Sequence, residues 1–407
     1  MHFIIIGGGL SGLAAATTVH QNGHTFQLLE KNETLGGRVR TSNINGHLID
    51  HGFQVYLPQY EEGSHFFDYP SLHLKPFSPG AMVLYDKGYS DIIGDPIRDP
   101  SSLVKTLLSK VGSFADKQRL LKLRKRAYKY CRNPSKYDTS QSTIDYLRNF
   151  GFKDDMIENF FIPFFSGVFF DKKLETSSAM FLFLYNKFAS SLASVPLKGM
   201  GELSKQLASS LPQENIHLQT EVKSINAKTV QVASGNNYIG DKIIFAAPNS
   251  KLLIDSTSTK KWKSSHTLYF EAPEAPHHKK LVGIVAKKNC LVNNISVMSN
   301  VNSSYSPKDK HQISVSIFGS EYSKEIETQV KSECKSWFGK QVKDWDLIER
   351  HMVSMALPEQ TKVSFHFDEQ ACKRGENLYC AGDLMLNGSI EAALKSGRLA
   401  AQYAMRD

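Results

Sequence analysis

The hydrophobic and polar positions of the first thirty residues follow a strand–helix–strand order. Phe3 to Ile6 is a short, wholly apolar run, typical of a buried strand. Small and apolar residues from Leu13 to Val19 predict a helix, and Gly23 occupies the position expected just after a helix end. A second apolar run, Thr25 to Leu29, predicts another strand. The pattern therefore predicts a βαβ unit.

Three glycines join the first strand to this helix. Gly7, Gly9 and Gly12 have the spacing G-x-G-x-x-G, and Glu30 follows the second strand. Here the first glycine permits a tight turn, the second lets the backbone approach a pyrophosphate, and the third lets the helix pack close to the strand. Glu30 stands where a carboxylate accepts from ribose hydroxyls. These residues predict a dinucleotide site without deciding which dinucleotide; a Gly-rich structural turn is the alternative.

Two further Gly-containing loops follow the βαβ unit. Residues 36–41 read G-G-R-V-R-T, and residues 49–55 read as a strand that meets a loop at Gly52. Such loops predict more backbone beside the same ligand. Arg38 and Arg40 either face a phosphate or belong to a solvated basic loop.

The C-terminal end carries a second strand–helix signal. Residues 377–383 predict a strand that ends in Gly-Asp, and a helix rich in small residues begins near Ser389 and runs through Met405. Ser389 is the predicted N-cap, with Glu391 in the first turn. Asp383, at a strand end beside a helix start, holds a polar group of a cofactor or caps the backbone.

The middle of the chain has a different character. Residues 160–170 and 180–185 are densely aromatic, which predicts either a domain core or the wall of an apolar pocket. Residues 216–225, 229–232 and 242–247 have strand patterns. Between residues 252 and 363, short strand-like runs alternate with loops, and residues 323–338 look helical.

Charge is concentrated in one segment. The chain has 407 residues, enough for two or three domains, and a net charge of +9. Residues 101–132 contain ten Lys/Arg and one acid, Asp116, so they account for the whole excess. Their helical apolar spacing predicts a surface helix pair, or a basic amphipathic stretch that contacts an anionic membrane. Nucleic acid is not expected, because no nucleic-acid-binding motif accompanies the charge.

The remaining chemistry-bearing residues exclude some classes of site. The five cysteines include no C-x-x-C, so we expect reduced thiols and no metal site. The first strand begins at residue 2, so we expect no cleaved signal and a cytoplasmic protein.

Together these motifs resemble those of the FAD-dependent flavin amine oxidase superfamily, most closely its branch of phytoene desaturase-like and protoporphyrinogen oxidase-like proteins. The matching segments are 7–12 with Glu30, 36–41, 50–53, 199–200, 220–222 with Ile225, 246–248, 381–383 and 388–393. They extend from one end of the chain to the other. An enzyme that binds only a nicotinamide would lack the G-G-R-x-R-T loop and the terminal Gly-Asp with its helix.

The resemblance implies an α/β fold with a discontinuous, Rossmann-like FAD-binding domain of the GR2 type and an inserted α+β substrate-binding domain. The expected FAD domain comprises residues 1–60, 196–252 and 364–407, and the expected substrate domain residues 61–195 and 253–363. The cofactor residues it implies are Gly7, Gly9, Ser11 and Gly12 at the pyrophosphate, Glu30 and Lys31 at the adenosine, Gly37 and Arg38 at the phosphate and ribityl region, Gly52, Phe53 and Gln54 at the flavin ring, Val222 at the adenine, Gly382 and Asp383 at the ribityl or pyrophosphate end, and Ser389 and Ile390 at the flavin pyrimidine edge.

The activity implied is oxidation, by hydride transfer to flavin N5, of a hydrophobic small molecule such as a polyene or a tetrapyrrole. The alternatives are an amine oxidase, a non-redox flavin isomerase and an inactive flavin-binding interaction protein. No aromatic pair that would frame an amine precedes Gly382, and no cysteine stands at the position of covalent flavin attachment, so we expect noncovalent FAD. No catalytic residue and no oligomeric state is assigned, and Lys287 and Lys288 read as surface residues.

Overall fold

The computed structural model describes residues 1–85, 88, 90–248, 261–319 and 323–406. Within them the strands are β1 (His2–Ile6), β2 (Thr25–Leu29), β3 (Thr41–Ile44), β4 (His47–Asp50), β5 (Lys75–Pro76), β6 (Gly80–Leu84), β7 (Ser90–Gly94), β8 (Ser194–Val195), β9 (Ile216–His217), β10 (Val222–Asn226), β11 (Thr229–Val232), β12 (Asn237–Ile239), β13 (Lys242–Phe245), β14 (Trp262–Ala272), β15 (Val282–Val285), β16 (Val292–Val297), β17 (His311–Ile317), β18 (Asp346–Pro358) and β19 (Leu378–Cys380).

The helices of the same residues are α1 (Leu10–Gln21), α2 (Glu61–Phe66), α3 (Tyr69–Leu72), α4 (Leu103–Leu108), α5 (Phe114–Arg132), α6 (Thr143–Asn149), α7 (Asp154–Met156), α8 (Ile162–Phe169), α9 (Ser178–Ser190), α10 (Gly201–Ser209), α11 (Met298–Val301), α12 (Lys324–Phe338), α13 (Glu369–Cys372) and α14 (Ile390–Arg406). None of the described helices is both long and apolar enough to cross a membrane.

A parallel sheet unites segments that are distant in sequence. Its strand order is β19-β13-β1-β2-β9, and every neighbouring pair is parallel. The inner strands are almost wholly apolar because helices or loops cover both faces of a parallel sheet. The predicted βαβ unit is confirmed as β1-α1-β2, and the α/β, Rossmann-like fold class is confirmed with it.

Small residues bring α1, β1 and α14 into close contact. A Cβ atom at Gly12 would lie 1.9 Å from the backbone oxygen of Gly7, and one at Gly397 would lie 2.0 Å from the backbone oxygen of Ser11. Any side chain at either position would force α1 away from its neighbour. The small-residue composition of α14 therefore seats it directly on the glycine-rich helix α1.

A second, mixed sheet has the order β18-β14-β17-β16-β15-β6-β7. Its pairs are antiparallel except β15 with β6, where the chain returns from a distant segment. Helix α12 packs on one face, with Val330, Cys334 and Trp337 in a shared apolar core. Its strands lie in the segments expected to form the substrate domain, although the expected boundary at residues 252 and 253 lies outside the described residues. The division into two domains stays a prediction.

Helical segments close the molecule around the second sheet. The aromatic run folds as a π-helical turn, Ile157–Phe161, that continues into α8. Phe161, Phe165 and Phe169, four residues apart, are buried together against Phe181 of α9. One face of the run is therefore core, as the plain interpretation of its aromatic density predicts.

Two strand and helix predictions need correction. The run 216–225 is not one strand, because Gln219 adopts a positive φ of 51° and the chain turns between β9 and β10. Likewise, the apolar residues of 101–132 do not form one continuous helix face, because the chain breaks between α4 and α5. Val111 and Leu123 are buried, while the others with helical spacing are exposed or half-buried: Leu103, Leu107, Phe114, Leu120, Leu121 and Tyr128.

Candidate cofactor and substrate cavity

A cavity of about 1610 Å³ begins where the parallel strands end. Residues at or just beyond the carboxyl ends of β1, β2, β13 and β19 line it, the position at which open α/β sheets bind ligands. From there it extends to helices α4, α5, α8 and α9. Sites for a single small molecule usually measure about 300–1,000 Å³. This cavity therefore has room for a cofactor and a second molecule.

Most of the predicted cofactor residues share this cavity wall. Those that line it are Gly7, Gly9, Ser11, Glu30, Lys31, Gly37, Arg38, Gly52, Phe53, Gln54, Val222, Gly382, Asp383, Ser389 and Ile390. Gly12 does not line it, because this glycine faces the backbone of Gly7 and permits helix packing. The structure thus gathers residues that lie up to 383 positions apart in the printed sequence, from Gly7 to Ile390.

The phosphate-binding end is made from backbone. Helix α1 begins after Gly9 without a side-chain cap and without an acid in its first turn. Its free N–H groups and positive dipole end at the cavity wall, which suits a pyrophosphate. The loop at Gly37 closes on this turn, since a Cβ there would lie 3.2 Å from the Cα of Gly9. The residues at this end of the cavity therefore fit the pyrophosphate of a dinucleotide.

The loops after β1 and β2 hold the Glu30 side chain in place. Its Oε2 accepts from the backbone N–H of Gly8 at 2.7 Å, and its Oε1 accepts from the backbone N–H of Asn32 at 2.9 Å. The side chain is buried but lines the cavity. These bonds hold a carboxylate at the end of β2, where the fingerprint requires it for a ribose.

Arg38 and Asp383 pair with each other across the cavity. Arg38 Nη2 lies 2.6 Å from Asp383 Oδ1, Nη1 lies 2.9 Å from Oδ2, and Nη1 also donates to the carbonyl of Ala356 at 2.9 Å. The guanidinium also stands 5.4 Å from the ring centroid of Trp262. Burial acts to lower the pKa of Arg38, but the Asp383 charge and hydrogen bonds outweigh it and raise the pKa. The two predicted ligand contacts thus form one fixed ion pair in the wall.

Behind the wall, the buried carboxylate of Asp50 links several segments. Its Oδ1 accepts from Thr41 Oγ1 at 2.5 Å and from the N–H of Met200 at 2.9 Å, and its Oδ2 accepts from the Tyr305 hydroxyl at 2.6 Å. The Tyr269 hydroxyl donates to the Asp50 carbonyl at 2.7 Å. Burial raises the pKa of Asp50 to about 6 despite these donors. The network ties β3 and β4, which precede the Gly52 loop, to the start of α10 and to β14 of the mixed sheet.

The start of α14 forms another part of the wall. Ser389 is confirmed as its N-cap, since its Oγ accepts from the N–H of Ala392 at 3.0 Å. Gln360 Oε1 accepts from the N–H of Gly388 at 2.7 Å, which fixes the loop before the helix. Glu391 accepts from the N–H groups of Glu61 and Glu62 at 3.1 and 3.0 Å, and burial raises its pKa to about 7. The N-terminus of α14, near the end of the chain, therefore faces the cavity, as does the N-terminus of α1 near the beginning of the chain.

Sequence reasoning missed the contribution of β18. This segment was predicted only as one of several short strand-like runs, yet His351 and each residue from Met352 to Leu357 line the cavity. The His351 and His51 rings are in tilted contact, with centroids 4.1 Å apart and an angle of 49° between their planes. Burial, together with the neighbouring His351 and Arg40, lowers the pKa of His51 to about 4, and the pKa of His351 is also lowered. Both shifts favour the neutral imidazole. No local motif marks these residues, because the contact joins the loop after β4 to a distant strand.

The far end of the cavity is apolar and aromatic. Phe160 of the π-helical turn and Phe164 and Val168 of α8 line it, and the buried Phe165 borders it as well. Further lining comes from Met180, Leu184 and other apolar side chains of α9 and β15. The pocket-wall interpretation of the aromatic run is therefore right for this face, as the core interpretation is for the other.

The acids of the cavity wall all have partners. The acidic residues among the described lining are Glu30, Asp95, Glu221 and Asp383. Asp95 contacts Arg98 at 2.7 Å and Arg124 at 2.8 Å, and Glu221 contacts Lys223 at 2.7 Å. Glu30 and Asp383 are held as described above. Within the described part of the wall, Asp95, Glu221 and Asp383 have cationic partners, while Glu30 is held by neutral donors at the nucleotide-binding end.

Comparisons with known proteins agree with this geometry. A model of the family described as flavin containing amine oxidoreductase matches residues 10–405. A 4,4'-diapophytoene desaturase (4,4'-diaponeurosporene-forming) from Staphylococcus haemolyticus is 34% identical over 98 residues, which are 22% of this chain and 18% of that protein. The match thus spans less than a fifth of the relative's length.

Solved structures are similar over the whole chain. A putative protoporphyrinogen oxidase from Exiguobacterium sp. 255-15 has a TM-score of 0.73 at 16% identity, covering 100% of this chain and 99% of that one. Wild-type putrescine oxidase bound to putrescine has a TM-score of 0.73 at 16% identity, covering 100% of both chains. At this identity the structures share the fold. The family match over nearly the whole chain, with the dinucleotide cradle in its expected place, shows that the protein belongs to the flavin containing amine oxidoreductases and is a flavin-dependent oxidoreductase.

Proposed function

We propose that the protein binds FAD noncovalently and dehydrogenates an apolar molecule, of the polyene or tetrapyrrole kind, held in the aromatic end of the cavity. The observation that carries the proposal is one continuous cavity, with a dinucleotide cradle at one end and an aromatic wall at the other. The diapophytoene desaturase relative, by its printed name, acts on a polyene precursor, which supports the same substrate class.

The length of the nucleotide-binding end of the cavity supports FAD as the cofactor rather than a flavin mononucleotide. Beyond the phosphate-binding turn the cavity continues past Glu30 and Lys31 to Thr220 and Val222, where the adenosine half would lie. Noncovalent binding is supported by the described lining, which contains no cysteine.

The chain's own residues have distinct parts in the reaction. Bound FAD supplies a two-electron acceptor for a hydride. The α14 N-terminus at Ser389 and Ile390 provides a positive dipole end, which stabilises negative charge on a neighbouring electron-rich ring. The Arg38–Asp383 pair fixes the adjoining wall, and Phe160 and Phe164 position an apolar substrate and exclude water.

Amine oxidation is the less favoured alternative. A protonated amine carries a positive charge, and burying it without a partner is costly. In the described cavity wall, the one carboxylate without a cationic partner is Glu30, which lies at the nucleotide-binding end and not at the aromatic end. An apolar substrate meets no such cost.

The visible spectrum of the purified protein tests the proposal. FAD-loaded protein should show a flavin band that bleaches anaerobically with an apolar polyene or a porphyrinogen, and not with putrescine. Turnover without net electron transfer would indicate an isomerase, and a band that no candidate bleaches would indicate an inactive binding protein. Absence of a flavin band after FAD addition would overturn the proposal.

A further inference from the structure

Exposed apolar side chains surround the outer end of the cavity. Leu103, Leu107, Phe114 and Leu121 line the cavity and are also exposed, Phe114 over 64% of its surface. The large apolar residues that are exposed in this region are Ile97, Leu103, Val104, Leu107, Leu108, Phe114, Leu121 and Tyr128. Single exposed apolar residues are normal, but a contiguous group marks a contact surface.

Helix α4 extends this apolar surface away from the cavity. Val104 and Leu108 are 64% and 78% exposed and do not line the cavity. The helix therefore presents apolar side chains on its outer side as well as towards the cavity. The cavity thus opens among apolar side chains at the surface of the molecule.

Basic residues adjoin this apolar surface on α5. Lys122, Lys125 and Lys129 are exposed and, at spacings of three and four, share one helix face. Phe114, Leu121 and Tyr128, spaced by seven, form the adjacent stripe. The one acid of segment 101–132, Asp116, is buried. The surface is therefore apolar and cationic without a compensating acid from its own segment.

The structure divides the basic residues into structural and free ones. Arg124 is engaged with Asp95 at 2.8 Å and with the Ala189 carbonyl at 2.6 Å, and Arg126 stands 4.8 Å from the ring centroid of Tyr137. Lys105, Lys122, Lys125 and Lys129 form no ion pair with any residue that the structure describes. These four lysines are the charges available to a partner.

We propose that α4 and α5 dock on an anionic membrane, with the apolar side chains among the acyl chains and the lysines at the headgroups. The cavity then opens into the bilayer, and an apolar substrate enters without crossing water. An adjoining apolar face and lysine row are what an interfacial helix requires. The inference rests on the proposed function for the nature of the substrate, and on the surface alone for the docking.

Vesicle flotation with FAD-loaded protein tests the charge requirement. Wild type should float with phosphatidylglycerol–phosphatidylcholine vesicles and not with phosphatidylcholine alone. Lys105→Gln, Lys122→Gln, Lys125→Gln and Lys129→Gln combined should weaken binding by about six-hundredfold, since each lysine near the surface contributes about fivefold. The control changes Lys308, Lys335, Lys340 and Lys362, exposed lysines elsewhere, to Gln. Equal loss in the control, or no wild-type flotation, would overturn the proposal.

Depth-dependent quenching tests which side chains enter the bilayer. Leu108→Trp should be quenched by vesicles that contain brominated phosphatidylcholine. Ile239→Trp, at a 67% exposed apolar residue of β12, is the matched control and should not be quenched. Equal quenching at the two positions would contradict the assigned orientation.

Flavin absorbance, measured on the same samples, separates the two proposals. Protein that retains flavin but does not bind vesicles would overturn the docking and leave the proposed function intact. Protein that binds vesicles but takes up no flavin would overturn the proposed function and leave the docking.

Discussion

Arg38 and Asp383 show how single residues at opposite ends of the chain become one structural unit. They are 345 positions apart, yet their side chains form a bidentate ion pair in the cavity wall. The sequence predicted each as a separate cofactor contact. Only the closure of the parallel sheet, which places the end of β19 beside the loop after β2, reveals that each has the other as a partner.

Replacing Arg38 by Met should destabilise the protein by about 1–3 kcal/mol and weaken flavin binding, because Asp383 is left buried without a donor. Denaturant unfolding with flavin and without it measures the two effects. Arg38→Lys, which keeps the charge but loses the bidentate geometry, should recover part of the loss. If the Met variant were as stable as wild type, water would have replaced Arg38 as the hydrogen-bond donor to Asp383.

The Asp50 network predicts a dependence of stability on pH. Its folded-state pKa of about 6 exceeds the ordinary 3.8, so ionisation of this group costs stability that returns as the pH falls. The free energy of unfolding of wild type, relative to Asp50→Asn, should therefore rise by about 2 kcal/mol between pH 7 and pH 4.

Asp116 provides the control for that experiment. Burial acts to raise its pKa, but hydrogen bonds from Ser113 and the N–H of Lys153, with the charge of Arg119, outweigh it and lower the pKa. Wild type should therefore lose stability relative to Asp116→Asn as the pH falls below about 4. If the relative stability changed in the same direction with pH in both comparisons, the assigned pKa shifts of Asp50 and Asp116 would be contradicted.

At the scale of elements, α8 carries core and cavity on opposite faces. Phe169 is 0% exposed, packs on Phe165 and does not line the cavity, while Phe164 lines it. The sequence offered core and pocket wall as alternatives for the whole aromatic run. The helical turn divides the run between them, because adjacent residues point to different sides of a helix.

Matched substitutions in α8 should separate these roles. Phe169→Ala should cost about 3–5 kcal/mol of stability, the usual effect of emptying a core position. Phe164→Ala should cost much less and should instead raise the KM for an apolar substrate. Chemical denaturation and steady-state kinetics measure the two quantities, and equal losses of stability would show that Phe164 is also core.

At the scale of the whole molecule, one cavity joins segments from across the chain. Its wall includes residues from the first strand, the loops after β2, the helices of the middle segment, β18 and the start of α14. A ligand that fills the cradle therefore stabilises the folded arrangement of all of these segments at once. Stability should depend on cofactor concentration as it does for any ligand that binds only the native state.

FAD should stabilise the cofactor-free protein by about 2.7 kcal/mol at a concentration one hundred times its Kd. FMN should stabilise it far less, because FMN lacks the adenosine half that the wall near Glu30 and Val222 accommodates. Thermal unfolding across a series of cofactor concentrations measures the difference. Equal stabilisation by FMN would contradict the assignment of the adenosine end.

The sequence by itself determined the βαβ unit, the terminal strand and helix, and the family, because these depend on local periodicity and on glycines needed at fixed positions. It also located the excess charge of segment 101–132. What it could not determine depends on contacts between distant segments: the Arg38–Asp383 pair, the His51–His351 contact, and the part of β18 in the wall. The break between α4 and α5 is local, since Gly112 adopts a positive φ of 65° and Ser113 caps α5, but tertiary packing decides that Val111 and Leu123 are buried while Leu108 and Phe114 are exposed.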